Sequence, residues 1–191
     1  MKLILASASP RRQELLRMVG LDPQIIIPEI DETQQPGETV DRFLERTAIA
    51  KGLSIYRSDL YPALVVSADT IVHCDDRIIG KPVDAQDARR MLRLLSQRTH
   101  QVFTGLALMH RGRTHFAISR SAVIFKKLSD AEIDFYLANE EYLDKAGAYA
   151  IQGRAAMFIE RIEGCFFNVM GFPLNLFYRM TQELAIDLFR E

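Results

Sequence analysis

The feature that most constrains the fold is the alternation of short buried strands with amphipathic helical stretches along almost the whole chain. In MKLILASASPRRQELLRMVGL, KLILA is an apolar run of strand length that ends in small residues. SPRRQELLRMVG reads as a helix with Ser9 as N-cap, Pro10 at its first position, Gly20 as the stop, and Leu15, Leu16 and Val19 as its apolar stripe. QIIIPEI is a β-branched strand closing at Pro28, and DETQQPGE is a polar loop. ETVDRFLERTAIAKGLSIY has helical spacing through Val40, Phe43, Leu44 and Thr47. ALVVSADTIV is a buried strand interrupted by Ser67, Asp69 and Thr70, and CDDRIIGKP turns back as a hairpin-like connection. DAQDARRMLRLLSQR is a helix with an acidic start and a basic end, as the macrodipole prefers.

The second half continues the pattern. HQVFTGLALMHRGRTHFAISRSAVIFKKL reads as a long hairpin around His110–Arg113, and SDAEIDFYLAN as a helix with Ser129 and Glu132 as a capping box. AGAYAIQGRAAMFIERIEGCFFNVMG reads as glycine-punctuated β structure. Pro173 opens a last helix whose apolar positions run Leu174, Leu176, Phe177 and Met180. No repeat or linker interrupts the 191 residues, a length that suits one sizeable core. The expectation is one mixed α/β domain over residues 1–191, with two lobes around a cleft.

Charge narrows the function. The formal net charge is −1 and no Lys/Arg run exceeds two residues, which argues against a broad nucleic-acid face and leaves room for a local basic pocket. Cys74 and Cys165 stand apart with no CxxC, which argues against a cysteine zinc site and suits a reducing cytosolic setting. No apolar stretch approaches the ~20 residues of a membrane span, and no signal-peptide pattern precedes the first strand. A soluble cytoplasmic protein with no membrane or nucleic-acid partner is expected.

Arg11 and Arg12 fall in the first helical turn, where a cation is unfavourable by ~0.3–1 kcal/mol. Either an anion bound by the helix amides and guanidiniums outweighs this, or both side chains reach solvent or a carboxylate such as Glu14. Asp69 follows LVVSA, at the end of a strand where ligands of open α/β sheets bind, or caps a turn. Glu32, beside Asp31 and Glu29, is a loop carboxylate. If it converges with Asp69, two oxygen ligands plus substrate phosphates suit Mg²⁺. Lys81 is held between Gly80 and Pro82, and Lys51 stands alone on a mildly apolar helical face, where snorkelling is the simpler role. Gln152 could read a planar hydrogen-bonding edge or satisfy backbone groups. His73, His100, His110 and His115 share no ligand or triad spacing and are expected at the surface or in the hairpin. Ser7 and Ser9 lack a G-x-S-x-G context, and no P-loop motif is present.

Taken together, LILASASPRRQELL, EIDET, SADTIV, IGKP, TGLAL, DKAGAYAIQG and NVMGFPL resemble the Maf-like nucleoside triphosphate pyrophosphatases over nearly the whole chain. The resemblance implies metal-assisted hydrolysis of a nucleoside triphosphate to the monophosphate and pyrophosphate. It also implies an elongated Maf/ITPase-like α/β fold with a deep cleft, often as a homodimer. It makes Asp69 the catalytic base, with Glu32 and Asp69 holding a divalent metal (Mg²⁺, or Mn²⁺ or Co²⁺) and Lys81 completing the catalytic set. Arg12, Lys51 and Lys81 would bind phosphates, with Ser7 and Ser9 nearby.

Arg11, Thr70 and Gln152 look like the dTTP/UTP branch rather than the 7-methyl-GTP branch, which tends to have a bulky aromatic, a glutamine and a glutamate there. A neutral Gln152 amide can both donate to and accept from the imide edge of thymine or uracil. Ala150 and Gly52 depart from the family, which usually has glycine and alanine at these places. A nucleotide-binding regulator with vestigial hydrolysis is the other class of function, though Asp69, Lys81 and Glu32 are all present.

Overall fold

A computed structural model describes residues 1–57 and 62–189 of the chain. The elements are β1 (Leu3–Ala6), α1 (Pro10–Met18), β2 (Gln24–Ile26), α2 (Val40–Leu53), β3 (Leu64–Cys74), β4 (Arg77–Ile79) and α3 (Ala85–Leu95). They continue with β5 (Thr99–His110), β6 (Arg113–Phe125), α4 (Asp130–Asn139), β7 (Ile159–Glu163), the short α5 (Phe166–Val169) and α6 (Leu174–Glu183). The strands make a mixed seven-stranded sheet in the order β2-β1-β3-β5-β6-β7, with β4 paired to β3. Two compact units share the chain: Met1–Asp69 with Thr104–Ser119 and Gly171–Glu191, and Thr70–Phe103 with Arg120–Met170.

In the first unit, β1 runs parallel to both neighbours, with Ile4 opposite Gln24 and Val65, and Ala6 opposite Ile26 and Ser67. Ile4, Leu5, Ala6 and Leu64–Val66 are fully buried, which is why these strands read as continuous apolar runs rather than alternating ones. The core joins Ile4, Ala48, Val65, Ala107 and Met109. Two glycines let α2 lie close to the sheet. A Cβ on Gly105 would stand 2.9 Å from Phe116 and 3.0 Å from Leu44 Cβ, and one on Gly52 would meet Met109 at 2.4 Å.

In the second unit, α3 buries Ala88, Met91, Leu92 and Leu95, the spacing of one helical face. They join Val123, Phe125, Tyr136, Tyr149 and Phe158 in one core. β3 and β4 meet through Asp75 and Asp76, both at positive φ (49° and 58°), the backbone of a two-residue hairpin turn. α4 carries the full capping box of Ser129 and Glu132.

Two expectations, for Val19 and for the glycine-punctuated segment, are corrected, and two, for Ser9 and His100, gain detail. Ser9 does occupy the N-cap of α1, but its side chain makes no capping bond; its N–H donates to Ser7 Oγ instead. Val19 is 39% exposed, because α1 closes with Leu21 N–H on Leu16 O, turning Val19 outward. The glycine-punctuated segment holds one strand, β7, between 3₁₀ turns (Ala146–Ala148 and Gly153–Phe158) and α5, so it is mostly not β structure. His100 lies in the hairpin strand β5, as expected, and faces the core there, its Nε2 2.7 Å from Tyr149 Oη and its ring edge-on to Phe125. Burial lowers its pKa to about 4, so it is neutral.

Candidate functional site

Asp69 lies inside β3, which continues to Cys74, and not at a strand end. The parallel pairing nevertheless stops before it: β1 ends with Ala6 opposite Ser67. Asp69 therefore stands two residues past the carboxyl end of β1, the edge at which open α/β sheets bind ligands. Ser7, buried, follows β1 directly.

The carboxylate does not cap a turn. Lys51 Nζ donates to Asp69 Oδ1 at 2.6 Å, and Thr47 Oγ1 lies 3.0 Å from Oδ2. Thr47 and Lys51 are four residues apart on α2, so one helical face delivers both groups to one strand residue. The same ammonium reaches Glu32 Oε2 at 2.9 Å. The convergence of Glu32 with Asp69 is thus realised through a shared cation, and Lys51 is not a snorkelling residue: its side chain is 7% exposed. Glu32 is 47% exposed, on a loop tied down from α2. Arg46 donates to both oxygens of Glu38 (2.7 and 2.8 Å) and to Thr33 O at 3.0 Å. These bonds hold the Glu38 carboxyl down at about 2.

The arginines at the start of α1 behave in a way the sequence did not reveal. Arg12 folds back over the helix start. Its Nε donates to Gly171 O at 2.9 Å, and its Nη1 donates to Ala68 O at 2.8 Å and Ser7 Oγ at 3.2 Å. It ties the end of β1, β3 and the loop before α6 together, and the carbonyls offset the helix-terminal penalty. Burial lowers its guanidinium pKa, with Arg11 adding to the shift and Asp69 and Glu32 opposing it. Arg11 and Ser9, both half-buried, sit at the same helix start.

Thr70, Lys81 and Gln152 belong to the second unit. Thr70 follows Asp69 in β3, so strand alternation sends the two side chains to opposite faces. Lys81 is exposed in the loop after β4, and that loop is fixed by Gly147 N–H on Gly80 O at 3.0 Å. Gln152, exposed, heads the 3₁₀ turn Gly153–Phe158.

Sequence reasoning missed Thr47 as a site residue and Arg46–Glu38 as the brace of the Glu32 loop. The signal for Thr47 was its position one turn before Lys51; the brace had none, since Glu38 and Arg46 are eight residues apart across a loop and a helix start. A cavity of about 640 Å³ lined by Lys2, His110, Arg111, Arg113 and Ile186 contains none of the candidate residues. Among the described residues no three His, Cys, Asp or Glu side chains cluster as a ready metal site. Among the described residues the candidate ligands that meet are Glu32 and Asp69, both on the Lys51 ammonium, and two oxygen ligands suit a metal whose remaining oxygens come from substrate and water.

A family model described as "Maf-like protein" matches residues 2–184. The chain belongs to the Maf-like family. Among its relatives, the dTTP/UTP pyrophosphatase of Dechloromonas aromatica (strain RCB) is 45% identical over 186 residues, covering 91% of this chain and 92% of that protein. The dTTP/UTP pyrophosphatase of Clostridium botulinum (strain Eklund 17B / Type B) is 42% identical over 186 residues, covering 96% and 99%. The solved Staphylococcus aureus Ham1 protein aligns with a TM-score of 0.52 over 96% of this chain and 100% of that one, at 15% identity, a likeness of fold alone. In this Maf-like chain the departure at Gly52 has a structural counterpart, because Met109 fills the space an alanine methyl would need. Nothing in the structure explains Ala150. Among the described residues no helix is long and apolar enough to cross a membrane.

Proposed function

We propose that this Maf-like chain hydrolyses dTTP and UTP to the monophosphate and pyrophosphate. The observation that carries the proposal is the buried Asp69, held on both carboxylate oxygens at the carboxyl edge of β1, in a chain closely related to proteins of that name. Asp69 accepts a proton from a water that attacks the α-phosphorus; the α–β anhydride bond breaks and pyrophosphate leaves. A carboxylate whose rotation is blocked offers one fixed lone-pair direction to that water, which reduces the reorganisation needed in the transition state.

Glu32 and Asp69 hold the divalent metal, Mg²⁺ or else Mn²⁺ or Co²⁺, which when bound supplies Lewis acidity toward the phosphate oxygens. Lys51 neutralises the two carboxylates, Lys81 and Arg11 offset the triphosphate charge, and Arg12 contributes charge while its donors brace Ser7 and Ala68. Gln152 reads the pyrimidine imide edge, and Thr70, on the face of β3 opposite Asp69, belongs to the same substrate assignment. A homodimer in the cytoplasm belongs to the same reading; the free thiols of Cys74 and Cys165 are consistent with a reducing compartment.

The test is pyrophosphate release from dTTP, UTP, CTP, GTP and 7-methyl-GTP, with Mg²⁺ and with chelator, for the parent and Asp69→Asn. Turnover of dTTP and UTP that needs metal and falls by ~10²–10⁴-fold in the variant is the expected result. Turnover of 7-methyl-GTP instead overturns the pyrimidine specificity and leaves the mechanism standing, near-parental Asp69→Asn removes Asp69 from its role, and no turnover at all favours a nucleotide-binding regulator.

A further inference from the structure

We propose that Thr47 is a positioning residue for Asp69, fixing the carboxylate by the oxygen that Lys51 does not hold. The proposal rests on the reading of Asp69 as the base. Thr47 is fully buried on the inward stripe of α2 with Phe43, Leu44 and Ala48, where a valine would fill the same volume. Packing therefore does not call for a hydroxyl. That hydroxyl has a single proton and stands 2.8 Å from Phe43 O, 3.4 Å from Leu44 O and 3.0 Å from Asp69 Oδ2. Back-bonding to the i−4 carbonyl is the common habit of a helical threonine and adds nothing the helical ladder lacks. Donation to the carboxylate is charge-assisted and stronger.

With Lys51 on Oδ1 and Thr47 on Oδ2, from successive turns of one rigid helix, the carboxylate plane cannot rotate about its Cβ–Cγ bond without breaking one of the two contacts. The clamp acts through Asp69 and touches no substrate. Its signature, measured at saturating metal, is a loss in kcat with little change in KM, because the triphosphate charge is held by the cationic side chains while the orientation of the carboxylate plane matters to the attacking water.

The experiment compares Thr47→Val, Thr47→Ser and the parent for dTTP and UTP turnover, melting temperature and the crystallographic orientation of the Asp69 side chain. The expected result is a kcat of Thr47→Val lower by roughly 10–100-fold at a KM within about twofold, with Thr47→Ser close to the parent. In crystals of Thr47→Val the Asp69 carboxylate rotates, and Thr47→Val costs nothing further when added to Asp69→Asn. A Thr47→Val kcat within about twofold of the parent, or an unrotated carboxylate, overturns the proposal. Should Thr47→Val not fold, Thr47→Ala against Thr47→Ser makes the same comparison. A parent that turns over no nucleotide fails the proposed function instead, and the carboxylate orientation alone then decides the clamp.

Discussion

Replacing Lys51 with methionine keeps most of the side-chain volume and the apolar stem and removes only the cation. The ammonium lies 2.6 Å from Asp69 Oδ1 and 2.9 Å from Glu32 Oε2, with side-chain exposures of 7% for Lys51, 9% for Asp69 and 47% for Glu32. At 2.6 Å a unit pair attracts by ~6 kcal/mol at an effective dielectric constant of ~20. The desolvation of both ions offsets part of this, and removing one partner of a buried pair costs ~3–5 kcal/mol. The half-exposed Glu32 contact contributes at most ~1 kcal/mol. Thr47 still holds Oδ2 in the variant, so the lower end applies, and the expected loss is about 3 kcal/mol. Urea unfolding followed by far-ultraviolet circular dichroism measures it, the chain having no tryptophan. Repeating the substitution in an Asp69→Asn background isolates the charge. With the carboxylate gone, Lys51→Met should cost ~1 kcal/mol or less, since only the exposed Glu32 contact is lost. Equal losses in the two backgrounds, or a loss below ~1 kcal/mol in the parent, would refute the view that Lys51 is there to neutralise Asp69.

Acid stability should depend on His100. Its folded pKa is about 4 against an ordinary 6.5, so the unfolded chain takes up the proton first as pH falls. The associated stability is complete above pH ~6.5 and is lost down to pH ~4, by at most ~3 kcal/mol, and His100→Gln should flatten that part of the curve in denaturant titrations at pH 7 and 4.5. An unchanged slope counts against a buried neutral imidazole. Gly52→Ala places a methyl 2.4 Å from Met109 Sδ and 2.9 Å from Ser67 Oγ. Overpacking costs ~1–3 kcal/mol and the helix-propensity gain of ~1 kcal/mol offsets part of it, leaving a net loss of about 1 kcal/mol in the melting curve. Gly52→Ala combined with Met109→Val should lose less than the sum of the two singles.

Much of the fold was legible because it rests on local signals. The strand–helix order follows from apolar periodicity, the end of α1 from Leu15–Gly20, the start of α4 from Ser129 and Glu132, and the tight hairpin turns from Asp75–Asp76 and Arg111–Gly112. These depend on residues within one turn of one another. The segment around Gly147 and Gly153 failed the same approach because glycines mark turns without saying whether strands or 3₁₀ turns lie between them.

Residue types at the site were legible too: Asp69, Glu32, Lys51 and Arg12 stand out as charges in or beside apolar elements. Their partners were not. Whether Arg12 faces a phosphate or the carbonyls of Ala68 and Gly171, and whether Lys51 snorkels or bridges two carboxylates, depends on chain segments far apart in sequence. Sequence set the charges and the secondary structure that presents them. Tertiary packing decided which oxygen each charge meets, because a side chain's partner is fixed by distances of a few ångströms between elements that no local periodicity encodes.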